Sequence, residues 1–344
     1  MFQLLTEQSS QILTSVTLMI VLSLILRPLA SKVSLVDTPN DRKRHDNITP
    51  LIGGLCIFLA CSLSIFIFDE MTGQDLRPFF VAASMFLFLG VLDDQFDIKA
   101  KTKLLAQITI SSIFVASSGL QVTNLGVPFG VVHPIVLGDM SLPFTVFAIV
   151  GLTNAFNMVD GCDGLAASLA VFVILALLYF GSSQFEYSTQ TFLLMMVATI
   201  FVFLLFNFSN NQTLKMFLGD GGSLFLGFIV SVLLVKFAEG NPTYSPSIIV
   251  WFVAVPVYDF CAVVARRLLL RRKIMSADRS HLHHYLLSFG LSHFQTTMFI
   301  LFTATILLCF GFYLEANYPS LSLFAFLGLF TVYLSFRLLS HRNQ

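Results

Sequence analysis

Charge is what this sequence has least of. Only 11% of its residues are Asp, Glu, Lys or Arg, against roughly 25% in an ordinary soluble domain. With 56% hydrophobic residues, 38 Phe and a mean hydropathy of +0.84, a soluble two-domain chain is excluded. An all-α polytopic membrane protein is expected instead. Cysteine is scarce too. Cys56, Cys61, Cys261 and Cys309 fall in apolar runs and Cys162 in a polar stretch, which gives no disulfide framework and reads as small apolar filler. The first apolar run has neither a basic leader nor a small-residue cleavage site, so it reads as a retained helix rather than a signal peptide. There is no internal repeat, no low-complexity tract and no separate soluble segment, so residues 1–344 read as one integral-membrane domain. Net charge is zero and no nucleic-acid partner is expected.

What is present is a series of apolar runs. Measured against the length needed to cross a bilayer, they give about eleven spans, near 9–29, 51–68, 79–93, 104–120, 143–159, 165–181, 190–207, 222–238, 247–265, 295–314 and 320–338. With the N-terminus outside, one face collects Lys32, Arg42, Lys43, Arg44, Lys99, Lys101, Lys103, Lys215, the Arg266–Arg279 cluster, Arg337 and Arg342. The other keeps essentially Arg77 and Lys236. The positive-inside rule makes the first face cytoplasmic and the second periplasmic, with a cytoplasmic C-terminus. On the outer side, Gly126, Pro128, Gly130, Pro134 and Gly138 punctuate short Val-rich runs within 121–142, suited to a small β-hairpin.

Five segments on the basic face carry more polarity than a connector needs. The stretch Asn154-Ala-Phe-Asn157-Met-Val-Asp160-Gly-Cys-Asp163-Gly164 has four polar residues at three-residue spacing. On a continuous helix they would share a face and aim at one object. Asp93-Asp94, followed by Lys99, Lys101 and Lys103, sets two carboxylates side by side, costly unless a cation neutralises them. Hard divalent ions suit such oxygens, and substrate phosphates as well; a merely solvated helix end stays open as the plainer reading. Phe217-Leu-Gly-Asp220-Gly-Gly-Ser223 joins a carboxylate to glycines before a span, fit for close approach of a phosphate or for a tight, capped turn. Asp37 to His45 is rich in basic residues that suit lipid phosphates or serve as a positive-inside anchor. Last, 266–294 holds several arginines, Asp278 and then His281-Leu-His283-His284. Zinc is a poor fit among arginines without thiolates; anion binding suits the same residues better. Carboxylates and cations on one face are what phosphoryl transfer needs, and a membrane boundary suggests a lipid substrate. A transporter is the competing class, but it would place charge near the bilayer midplane and show repeated halves.

In this combination and order, Asp93-Asp94, Asn154-x-x-Asn157-x-x-Asp160-Gly-x-Asp163-Gly-Leu-Ala, Phe-Leu-Gly-Asp220-Gly-Gly and His281-x-His283-His284 resemble the polyprenyl-phosphate N-acetylhexosamine-1-phosphate transferases over nearly the whole chain. The resemblance implies a bacterial inner-membrane enzyme with its active site facing the cytoplasm. There undecaprenyl phosphate would attack the β-phosphorus of UDP-GlcNAc, with Mg²⁺ or Mn²⁺, releasing UMP. It would thereby open O-antigen and enterobacterial common antigen synthesis, part of lipopolysaccharide biosynthesis. The resemblance assigns Asp220 and Asn157 to the metal and Asp93, Asp94, Asp160, Asp163 and Lys103 to catalysis. Asn154, Arg266, Asp278, His281, His283, His284, Arg44 and His45 go to substrate binding. Leu282 interrupts the histidine run and Tyr285 follows it, which favours a GlcNAc branch over relatives that take UDP-MurNAc-pentapeptide. The sequence leaves a homodimer open.

Overall fold

A computed structural model of the chain describes residues 8–37, 48–68, 76–131, 133–241, 243–271 and 281–340. The fold is helical. In chain order the longer elements are α1 (Ser9–Ala30), α2 (Gly53–Ile67), α3 (Leu76–Phe96), α4 (Ala100–Ser118), α5 (Ser141–Val159), α6 (Leu165–Gly181), α7 (Tyr187–Asn207) and α8 (Gly219–Gly240). They are followed by the single turn α9 (Ile249–Phe252), α10 (Ala254–Leu269), the short α11 (Leu282–Ser288), α12 (His293–Asn317) and α13 (Pro319–Ser340).

The apolar pattern fixes which helix is inside. Between its Gly-Asp-Gly-Gly start and Lys236, α8 is apolar on every side apart from two serines, so no face is left for water. It lies in the middle of the bundle, 94% buried over its apolar window, packed on α2, α3, α5 and α6. By contrast, α1 and α13 are only 17% buried and show Leu13, Leu24, Phe324 and Val332 outward, surface suited to lipid. Where α3 crosses α8, two glycines face each other. A β-carbon at Gly90 would stand under 3.0 Å from the backbone of Asp220, and one at Gly221 would meet the carbonyl of Leu87 at 3.2 Å. Small residues let helix backbones touch in this way, and the contact brings Asp93-Asp94 beside Asp220.

Every one of the eleven expected spans falls on helix, but not every helix is long enough to span. Among the described residues eight are by length and apolarity, or up to nine if a bent pair counts as one. The 51–68 run forms a helix of only 15 residues, about 22 Å at 1.5 Å per residue, and the α4 region opens with Ala-Lys-Thr-Lys. The expected span 247–265 is the bent pair, turning by 82° between Pro246–Phe252 and Ala254–Leu269. Pro256 accounts for the break. Its ring would collide with the carbonyl four residues earlier, at Phe252, and it is accommodated in the first turn of α10.

The 121–142 segment carries a short antiparallel ladder: Leu125 N–H bonds to Ile135 O and Ile135 N–H to Gly126 O, each at 2.9 Å, around a bridge between Asn124 and Val136. The expected hairpin is thus reduced to one bridge. A second ladder was not legible. β1 (Val36–Asp37) and β2 (Thr49–Pro50) pair antiparallel, and Phe217 N–H bonds to Pro50 O at 2.9 Å. Gly53 and Gly54 N–H return bonds to Phe217 O and Leu218 O at 2.9 and 3.0 Å. These bonds satisfy two of the otherwise orphaned donors at the start of α2 and tie residues 50–54 to the segment that opens α8.

Candidate active site

Four helix ends meet at one end of the bundle: the C-termini of α3 and α5 and the N-termini of α4 and α8. At their junction stands Lys103. Its Nζ forms an ion pair with Asp93 and lies 3.2 Å from Asp220 Oδ2 and 3.3 Å from Asn157 Oδ1. Asn157 Nδ2 donates in turn to Asp220 Oδ1 and to Ser223 Oγ, both at 2.9 Å. Asp94 accepts the N–H groups of Asp220 and Gly221 at 3.0 and 3.2 Å, so its charge sits on the positive end of α8. The remaining Asp93 oxygen accepts Ile98 N–H at 2.9 Å, which fixes the turn between α3 and α4.

The polar motif that follows Asn154 does not form one helical face. Asn154 and Asn157 lie in α5, but α5 ends at Val159 with Asp160 as its C-cap, and Asp163 falls in a turn. Gly161 follows that cap, and Gly164, at φ +68°, caps the start of α6. As a result the four residues meet different partners. Asn154 pairs with buried Gln107 through Nδ2 to Oε1 at 2.6 Å. Asp163 forms an ion pair with Lys215 at 2.7 Å, and its backbone accepts Thr297 Oγ1 at 3.0 Å while its N–H donates to His293 Nδ1 at 3.2 Å. Burial, and after it the nearby carboxylates Asp220, Asp94 and Asp163, hold Asp160 well above the usual carboxylate range. Burial also pushes the Cys162 thiol up to about 12, so it is no nucleophile at neutral pH.

The histidine segment docks on this turn. His283 is 1% exposed, and a β-carbon on Gly161 would come within 2.5 Å of its Nε2; only a glycine permits that seat. Burial lowers the His283 pKa to about 3, so the ring is neutral at physiological pH. His281 stacks on it at 5.7 Å with the rings 6° apart, and His284 lies 4.2 Å from it. Arg266 is half-buried in the last turn of α10. Arg44, His45 and Asp278 lie outside the described residues.

Sequence reasoning passed over Gln107, Lys215, Ser223, Asp259, His293 and Tyr333. Of these Asp259 carried a signal: an ionisable residue inside the expected span 247–265, which by itself marks a functional candidate.

Among the described residues no three Asp, Glu, His or Cys side chains converge as a closed metal cage. The donor set nonetheless fits an open site. Asn157 Oδ1 and Asp220 Oδ2, both hard oxygens, already turn toward one cation, the Lys103 ammonium. Mg²⁺ commonly takes one or two carboxylates and completes its shell with water and substrate phosphate.

Known proteins resemble the chain in sequence. The family model for glycosyl transferase family 4 matches residues 76–238, from α3 to the end of α8. The chain is 35% identical over 289 residues to the probable undecaprenyl-phosphate N-acetylglucosaminyl 1-phosphate transferase of Bacillus subtilis, covering 84% of this chain and 79% of that one. It is 34% identical over 291 residues to the undecaprenyl-phosphate alpha-N-acetylglucosaminyl 1-phosphate transferase of Yersinia pestis (83% and 79%). To the protein of the same name from Escherichia coli K12 it is 32% identical over 296 residues (85% and 80%).

Proposed function

The chain belongs to glycosyl transferase family 4 and is a membrane sugar-phosphate transferase, and from that premise we propose that it transfers GlcNAc 1-phosphate from UDP-GlcNAc to undecaprenyl phosphate. An oxygen of the lipid phosphate bonds to the β-phosphorus of the nucleotide sugar. The bond from that phosphorus to the oxygen bridging the two phosphates breaks, and UMP leaves with that oxygen. GlcNAc-diphosphoundecaprenol remains in the membrane. The observation that carries this reading is the convergence of Asp93, Asn157 and Asp220 on the Lys103 ammonium where four helices end.

The attacking group needs little deprotonation, because a phosphate monoester with a second pKa near 6 is mostly a dianion at pH 7. A general base is therefore not required of Asp93 or Asp94. Asp94 holds the first N–H groups of α8 and so places Asp220. Asp93 orients Lys103, whose charge suits a phosphate oxygen. Asp220 and Asn157 would hold Mg²⁺ or Mn²⁺, which supplies charge neutralisation for the diphosphate. The histidines against Gly161, with Arg266, would meet the sugar-phosphate portion. The basic residues at this end support a site on the cytoplasmic face of an inner membrane. The lipid-linked sugar would serve as the first unit of a cell-envelope polysaccharide such as O-antigen or enterobacterial common antigen.

The test is purified protein with UDP-GlcNAc, undecaprenyl phosphate and Mg²⁺. UMP and a lipid-linked GlcNAc are expected; neither forming, with a competent acceptor present, would overturn the reading. UDP-MurNAc-pentapeptide offered in parallel settles the sugar, and exclusive use of it would refute the GlcNAc assignment. Chelation should abolish turnover, and either Mg²⁺ or Mn²⁺ should restore it. Asp220→Asn should be folded and inactive.

A further inference from the structure

Asp259 is 1% exposed in the middle of α10, among apolar helices, where an unpaired carboxylate would be prohibitively costly. Three donors satisfy it. Oδ1 accepts Leu282 N–H at 2.8 Å and Tyr333 O–H at 3.1 Å, and Oδ2 faces His281 Nδ1 at 2.8 Å. The network joins α10, the start of α11 and α13. It lies apart from the Lys103 junction, and of its members the reaction described above uses only His281.

We propose that Asp259 is a positioning residue that fixes the tautomer and the plane of His281 for engagement of the nucleotide sugar. A carboxylate with no proton can only accept, so Nδ1 of His281 must carry one. A neutral ring then presents Nε2 as an acceptor, and a charged ring presents it as a donor. Because the same carboxylate holds the backbone of Leu282, ring and main chain are fixed together. The His281 ring lies parallel to His283, which is seated on Gly161. Its orientation is thereby referred to the turn that carries Asp160 and Asp163. The purpose assigned to His281 rests on the proposed transfer from UDP-GlcNAc; the positioning itself rests on the contacts alone.

Asp259→Asn gives an opposite expectation for the ring. With its amide oxygen retained by Leu282 N–H, the amide NH₂ faces His281 and donates, forcing Nδ1 to accept. ¹⁵N-histidine spectra of the full chain in detergent, with His281→Gln to assign the signal, should show a protonated Nδ1 in the parent protein. In Asp259→Asn the proton should move to Nε2. A deprotonated Nδ1 in the parent overturns the inference without any Asp259 variant, should that variant not fold. Kinetically, Asp259→Asn should lower kcat/KM for UDP-GlcNAc about tenfold to a hundredfold, by analogy with losing the partner that orients a metal-ligating histidine. KM for undecaprenyl phosphate should hold, and Asp259→Glu should recover part of the loss. The double variant with His281→Gln should be no slower than His281→Gln alone. Additive losses, or equal shifts in KM for both substrates, would reduce Asp259 to a structural group. Should the parent protein show no transfer at all, the reaction reading falls and the tautomer result still decides the positioning.

Discussion

Gly90→Ala tests whether the helix crossing sets the site. The added methyl would stand under 3.0 Å from the Asp220 backbone, where ordinary contact is 3.4–4 Å. The obstacle is main chain, which has no rotamer to yield, so α3 and α8 must part by several tenths of an ångström or more. Overpacking of this kind costs roughly 1–3 kcal/mol, while alanine returns about 0.5–1 kcal/mol of helix propensity. The net loss is about 0–2.5 kcal/mol, at most a fall of several degrees in melting temperature. The effect on turnover should be larger. Asp93 and Asp94 ride on α3 and Asp220 on α8, so parting the helices opens the Lys103 junction, and a displacement near 1 Å can cost about a hundredfold in rate. Gly151, in α5, is the control, since a β-carbon there meets nothing within 4 Å; Gly151→Ala should gain slightly in stability and keep its rate. UMP release and thermal unfolding in one detergent measure both. A Gly90→Ala protein with parental rate and stability, or a Gly151→Ala protein equally impaired, would refute the argument.

Lys103→Met leaves Asp93 and Asp220 without their cation. Removing one partner of a buried pair costs about 3–5 kcal/mol, and less here because the Asp220 side chain is 36% exposed. Added Mg²⁺ should raise the melting temperature of this variant more than that of the parent; an equal rise would argue against a cation position there. For Asp163 and Lys215, whose side chains are mostly covered, Asp163→Asn and Lys215→Met should each lower stability, and the double variant should lose less than their sum; strict additivity in a double-mutant cycle would mean the pair is not coupled. Burial lowers His283 from 6.5 to about 3, so below about 6.5 the unfolded chain takes up a proton that the folded one refuses. That stability is fully present above 6.5 and is lost as pH falls toward 3, by about 1.4 kcal/mol per pH unit. His283→Gln should therefore lose less melting temperature between pH 7 and pH 5 than the parent, and an identical loss would refute it.

The helices were legible because lipid forces them to be. A backbone in hydrocarbon must satisfy itself, so each apolar run announces a helix. Span length was less legible, since the 15-residue α2 and the bend at Val253 come from local contacts and from Pro256 rather than from apolarity. The carboxylates, amides and histidines of the site could be named from the sequence, but their partners could not. The resemblance assigns Lys103 to catalysis, but its ion pairs with Asp93 and Asp220 depend on how α3, α4 and α8 cross. The three-residue spacing of Asn154 to Asp163 suggested one face, because periodicity is blind to where a helix stops. Two-residue strands such as β1 and β2 have no period to detect.

The geometry divides the polar end into two parts. Around Lys103, the groups sit on α3, α4, α5 and α8, held by the Gly90 contact and by the tie from Phe217 to Pro50. Around His281, they sit on α10 to α13, held by Asp259 and Tyr333. The two parts touch where His283 meets Gly161. The family match ends at residue 238, so it includes the whole first part and none of the second. On the proposed function, phosphate and cation chemistry, common to every sugar-phosphate transfer, would belong with the first part, and recognition of a particular sugar with the second. On the proposed reading, then, substitutions at His281, His284 and Asp259 should alter the preference between UDP-GlcNAc and UDP-MurNAc-pentapeptide. Those at Asp220, Asn157 and Lys103 should slow both nucleotides by the same factor. Competition between the two nucleotides, measured as a ratio of kcat/KM, reads this directly. A change in that ratio from Asp220→Asn or Lys103→Met, with none from the histidine variants, would reverse the division.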